Sequence, residues 1–121
     1  MADYLNDNKI DIKLPLVGDY SGNGVNISFK AIEGKKVNFY APVFNGIEYK
    51  MARLTGDYVD NFQNRIEQID SDKPAFVCNC ILNFLYGGLE GKVIKSFCGP
   101  ITFGEIAYQL VNQTLVYVTV A

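Results

Sequence analysis

Apolar and polar positions alternate in short runs along most of the chain. Ile10, Ile12 and Leu14 fall on one face, with Asp11 and Lys13 on the other. That period of two predicts a half-buried strand, and Pro15 marks its end or an edge position. "GDYSGNG", Gly18 to Gly24, is turn chemistry. Val25, Ile27 and Phe29 then alternate with Asn26, Ser28 and Lys30, which predicts a second strand. "EGKK" reads as a turn and "VNFYAPVF" as a third strand broken at Pro42. Asn45-Gly46 stands between that run and "IEYKMARL". Asn-Gly between alternating segments is a strong hairpin signal, because a two-residue type I′ turn needs φ > 0 at both positions.

The period then changes. In "TGDYVDNFQNRIEQIDSD" the apolar residues Tyr58, Val59, Phe62, Ile66 and Ile69 recur at helical spacing. Thr55 or Asp57 caps the start, and Pro74 lies beyond the end. "AFVC", Ala75 to Cys78, is wholly apolar and reads as a buried strand. "NCILNFLYGGLEG" predicts a helix starting near Asn79 or Cys80, ended or loosened by Gly87-Gly88. "KVIKSF", "ITFGEIAY" and "QTLVYVTV" predict three more strands, the last two joined by a turn around Gln109 to Asn112.

The expected fold is therefore α+β: a mainly antiparallel sheet of six to seven strands with two helices on one face, in a single domain over residues 1–121. The last strand is apolar on both faces, Leu115 and Tyr117 on one and Val116, Val118 and Val120 on the other. Such a strand needs two covering layers.

Charge and composition narrow the function classes. The net charge is −2 and Lys35-Lys36 is the longest basic cluster, so the positive stripe of a nucleic-acid binder is missing. No apolar run reaches the roughly 18 residues that span a bilayer. "MADYLNDNKID" lacks the positive end and apolar centre of a signal peptide, so a cytoplasmic location is expected. Histidine is absent, which removes the commonest metal ligand and general base.

Four places hold candidate chemistry. Cys78-Asn79-Cys80, with Cys98, offers thiolates, but the spacing is unlike structural zinc sites, and buried cysteine usually acts as a small hydrophobe. Neither a metal nor a cysteine nucleophile is expected, so the chain reads as a non-enzyme without a cofactor. Glu105 is the single charge between Gly99 and Val120. It is either a ligand-facing carboxylate or a solvated strand residue; Gly104 before it can bulge the strand or admit a ligand to the backbone. Asn112, Gln113 and Thr114 form a polar patch that reads first as a turn. Eight tyrosines and eight phenylalanines suit pockets, interfaces or strand rims.

"AFVCNC…GPITFGEIAYQLVNQTLVYVTV" resembles the C-terminal domain of the FIST family, the F-box and intracellular signal transduction proteins. Cys78 matches that family's strand-ending cysteine. Phe103, Gly104, Glu105 and Ile106 match its "[FY]-GEI" strand, and Asn112 and Thr114 its Asn-x-Thr. "VNFYAPVFNGIEYKMARLTGDYVDNFQNRI" is similar to its hairpin-then-helix entry, and the likeness covers roughly residues 36–120. Two departures stand out. Asn79 and Cys80 replace a glycine-arginine pair, and about 35 residues stand where a FIST N-terminal domain normally precedes.

The resemblance implies a sensory module for intracellular signalling that binds a small ligand, an amino acid or amine. Phe103, Gly104, Glu105, Cys78, Asn79, Asn112 and Thr114 would line or support the site. It also implies an uncovered sheet face, for which a homodimer is the simplest cover. The alternative is a structural or protein-interaction module with the same fold and no pocket.

Overall fold

The computed structural model describes residues 1–53, 56–69, 74–92, 97–106 and 109–120. Among them lie three short helices and ten strands, an α+β protein with small, mostly antiparallel sheets. They divide into two compact units, Met1–Arg53 and Leu54–Ala121.

The first unit opens with helix α1 (Ala2–Asp7), which buries Ala2 and Leu5 at the i, i+3 spacing of one face. A three-stranded sheet follows: β1 (Leu16–Tyr20) lies between β2 (Asn23–Ile27) and β5 (Tyr49–Met51). β1 and β2 form a two-residue hairpin closed by the Tyr20–Asn23 pair. Ser21 and Gly22 between them both have positive φ, 56° and 85°, the type I′ signature, and Asp19 Oδ1 accepts from the Gly22 amide at 2.7 Å. A second hairpin joins β3 (Phe29–Glu33) to β4 (Lys36–Phe39) through Gly34, at φ 59°. Leu16, Ile27 and Phe29 are buried, and the Phe29 and Phe39 rings lie 5.1 Å apart.

Three expectations are corrected in this unit. Residues 10–14 form turns, not a strand: the Leu14 amide bonds back to the Asp11 carbonyl and the Lys13 amide to Asp11 Oδ1. Local side-chain bonding of this kind competes with sheet pairing. The Asn45-Gly46 hairpin is also absent. β4 ends at Phe39, and β5 pairs with β1. Asn45-Gly46 is a turn in which only Gly46 has positive φ, 86°, so it lacks the I′ geometry that would join neighbouring strands. Third, the sheet is not continuous, and a third helix, α1, joins the two expected ones.

The second unit contains α2 (Tyr58–Glu67), β6 (Phe76–Cys80), α3 (Ile81–Tyr86), β7 (Ile101–Thr102), β8 (Glu105–Ile106), β9 (Gln109–Leu110) and β10 (Leu115–Val118). Asp57 caps α2, its Oδ1 accepting from the Val59 and Asp60 amides at 2.8 and 3.1 Å. Thr55, the other candidate cap, lies outside the described residues, as does most of the "KVIKSF" run.

β6 is the central strand of the order β10-β6-β7, antiparallel to β10 and parallel to β7. Its backbone is pinned on both sides: the Cys80 amide donates to Thr114 O at 2.9 Å and the Asn79 amide to Pro100 O at 3.0 Å. Gly99 makes the second contact possible. A Cβ there would sit 1.8 Å from the Val77 carbonyl oxygen, a backbone atom that cannot step aside. The expected "ITFGEIAY" strand is broken at Gly104, whose φ is 109°, into β7 and β8; β8 pairs with β9 as a separate ribbon.

Two outcomes follow. Gly99→Ala should destabilise the chain by about 1–3 kcal/mol through overpacking against backbone, read as a melting temperature several degrees lower; an unchanged melting temperature would contradict the close approach. In the first unit, the Tyr20 and Tyr49 hydroxyls lie 3.1 Å apart and Tyr49 also accepts from the Phe44 amide. The hydrogen bond with Tyr49, then burial, then a Tyr49 charge push Tyr20 from 10.0 up to about 12. The folded state thus keeps a proton that the unfolded chain gives up. The stabilisation is complete below pH 10 and is lost as pH rises toward 12. The difference in ultraviolet titration between wild type and Tyr20→Phe should show a midpoint near 12, and one near 10 would refute the pairing.

Candidate functional site

One face of the β6 sheet borders a cleft of about 210 Å³. Alternation along β6 turns Val77 and Asn79 toward it and Cys78 and Cys80 away from it. Register carries the same face across the sheet, because Leu115 of β10 and Ile101 of β7 both pair with Asn79 and both line the cleft. α2 contributes Phe62 and Ile66 from its apolar stripe. Phe84 of α3 and Leu89 beyond it complete that wall, with Lys92 and Phe97–Gly99.

Leu89 is placed by the way α3 ends. Gly87 is the C-cap, and Gly88 takes a left-handed φ of 55°. The Leu89 amide then bonds to Phe84 O and the Gly88 amide to Leu85 O, each at 3.1 Å. This Schellman pair turns the chain back, so that Leu89 and Phe84 share the cleft wall. The Gly87-Gly88 signal in the sequence thus ends a helix and shapes a site.

Most of the lining is apolar, and a chain of three polar side chains reaches it from behind. The Tyr58 hydroxyl donates to Asn83 Oδ1 in a short hydrogen bond. Asn83, 1% exposed, donates from Nδ2 to Asn79 Oδ1 at 2.8 Å. Burial, and secondarily the electrostatic influence of nearby Cys80, hold the Tyr58 hydroxyl above its ordinary value, so it keeps its proton and its donor role. Asn79 is itself 8% exposed and lines the cleft. Its acceptor oxygen is taken by Asn83, which leaves its NH₂ as the end available to the cleft.

The residues singled out around Glu105 lie away from this cleft. Gly104 packs against backbone: its amide donates to Thr102 Oγ1 at 3.1 Å and its carbonyl accepts from the Val111 amide at 2.8 Å. A Cβ at Gly104 would lie 2.7 Å from Val111 O and 3.3 Å from Asn112 Nδ2. Asn112 is fully buried, Gln113 turns the chain with φ 48°, and Thr114 Oγ1 donates to Asn112 O at 2.8 Å. The structure therefore brings Gly104, Asn112 and Thr114 together in a knot of tight turns. Glu105 and Phe103 are exposed, Phe103 at 71%, and neither lines the cleft. Cys78 is buried on the far face of β6. Of the candidate site residues, Asn79 alone borders the cleft.

The sequence reading passed over Asn83 as part of a site and weighed Cys98 only as a third thiolate. Asn83 carried a usable signal: an asparagine four residues after Asn79, inside an otherwise apolar helix, must satisfy its amide locally. Among the described residues no group of three or more Cys, Asp or Glu is arranged to hold a metal, and no helix is long and apolar enough to cross a membrane.

Comparison with known proteins corrects the FIST resemblance. No curated protein and no solved structure matches the chain. The matching family model is a different one, and no FIST match is found. The shared segments were short and rich in turn residues, and here they form the backbone knot around Gly104 and Asn112. The match runs over residues 1–121, and the chain belongs to a family of unknown function, DUF6976.

Proposed function

We propose that this protein is a non-enzymatic binding domain for a compact, largely apolar small molecule, held in the cleft beside β6. The observation that carries this reading is the pairing of an apolar cleft with one placed polar group in its lining, the Asn79 side chain, whose oxygen is held by Asn83. Small-molecule sites typically combine apolar walls with a few placed polar groups. The volume of about 210 Å³ suits a ligand of ring size, since a cavity of about 150 Å³ holds benzene. Lys92 supplies a positive charge at the lining, so a ligand with a carboxylate or carbonyl fits better than an amine.

A panel of compact aromatic and branched carboxylates tests the reading by thermal shift. A probe at 100 times its dissociation constant stabilises by about 2.7 kcal/mol, a shift of several degrees. The shift should vanish in Ile101→Trp, which fills the cleft from a half-exposed position, and persist in Glu105→Gln. No shift with any probe, or a shift that needs Glu105, would contradict the proposal. The thiols give a site-specific readout. Cys98 is exposed and lines the cleft, whereas Cys78 and Cys80 are buried. Native protein should take up one alkylating label per chain, at Cys98, and bound probe should slow it. Labelling of Cys78 or Cys80 at the same rate would contradict the burial.

A further inference from the structure

We infer that the Tyr58–Asn83–Asn79 chain acts as a polarity filter, which makes the cleft select ligands that accept a hydrogen bond and reject those that donate one. The inference rests on the cleft being a binding site, and it names what that site chooses.

An asparagine side chain can present either end of its amide, so Asn79 alone would serve an acid or an amine. What removes the choice is the order of the chain behind it. The Tyr58 hydroxyl has a proton to give, and it gives it to Asn83 Oδ1. With its oxygen engaged, Asn83 has only NH₂ to turn toward Asn79, and it donates to Asn79 Oδ1. Asn79 is left with NH₂ on the cleft side. Turning Asn79 round would face two NH₂ groups toward each other in a buried place. Turning both asparagines would leave the Tyr58 hydroxyl as an acceptor from Asn83. The half-buried phenol, which resists losing its proton, would then have no acceptor for it among the three side chains.

The three residues sit on three elements, at the first turn of α2, on β6 and in α3. Tyr58 and Asn83 are absent from the cleft lining, so they act as positioning residues, and Asn79 is the group that meets the ligand. The ligand class is thus a compact apolar acid or carbonyl compound. Sites built around a placed hydrogen bond discriminate strongly, because the wrong ligand leaves the buried group unpartnered.

Benzoate and benzylamine, matched in size and opposite in hydrogen-bonding sense, are the probes. Binding is read by protection of Cys98 from alkylation and by thermal shift. Wild type should favour benzoate over benzylamine by at least about tenfold. Asn79→Asp keeps the oxygen that accepts from Asn83 and turns a second oxygen to the cleft, so the preference should collapse or reverse. Lys92 is present in both proteins, so its charge cancels from the change in the ratio. Tyr58→Phe removes the donor that orders the chain; both probes should still bind, with the ratio falling toward one. This variant carries the test should Asn79→Asp fail to melt cooperatively. Equal binding of the two probes by wild type, or a ratio unmoved in both variants, would overturn the filter while leaving the cleft as a binding site. No protection by either probe in any variant would overturn the cleft reading and the filter with it.

Discussion

The hydrogen bond from Asn83 to Asn79 is the interaction on which the candidate site depends. It is buried at both ends and joins α3 to the central strand of the second unit. Burying two amides inside an apolar layer costs free energy unless each finds a partner, and a half-satisfied pair is worse than none. Here Tyr58 offsets the cost on one side, and on the other the Asn79 side chain reaches the cleft wall. That asymmetry is the reason to read the cleft as a site and not as a packing defect.

The strand that carries Asn79 is fixed by backbone geometry before any side chain acts. β6 is held by β10 on one edge and by β7 on the other, and the β7 side requires a residue without a side chain at Gly99. Strand alternation then does the sorting. Val77 and Asn79 go to the cleft, and Cys78 and Cys80 go to the opposite face, where they are buried as small hydrophobes. A one-residue slip of this strand would exchange the two sets and remove the site.

Much of the second unit was legible in the sequence. The stripe Tyr58–Phe62–Ile66 set the buried face of α2, Asp57 its cap, "AFVC" the buried strand and Gly87-Gly88 the end of α3. These signals are local and strong. The errors lie where a local pattern met a competing interaction. Ile10, Ile12 and Leu14 alternate as a strand would, but Asp11 ties its neighbours into turns. Asn45-Gly46 looked like the hairpin, while Ser21-Gly22 supplied the geometry, because strand pairing is decided by the partner strand and not by the dipeptide. α1 is too short for its period to register. Glu105 drew notice as a lone charge among apolar residues, yet the break at Gly104 detaches it from the sheet and leaves it in solvent. The site's defining group is an uncharged amide whose meaning comes from a partner four residues away and a phenol 25 residues away. Charge and motif searches do not weigh such groups.

The most direct test of this account is a nuclear magnetic resonance titration of the side-chain NH₂ groups with benzoate. Asn83 is sealed between Tyr58 and Asn79, so its NH₂ protons should exchange slowly with water before and after addition. The Asn79 NH₂ pair should move downfield with saturation, while the Asn112 pair and the Glu105 amide stay in place. Perturbation centred on Glu105 and Asn112, with Asn79 unmoved at saturating probe, would contradict the claim that the cleft beside β6 is the binding site.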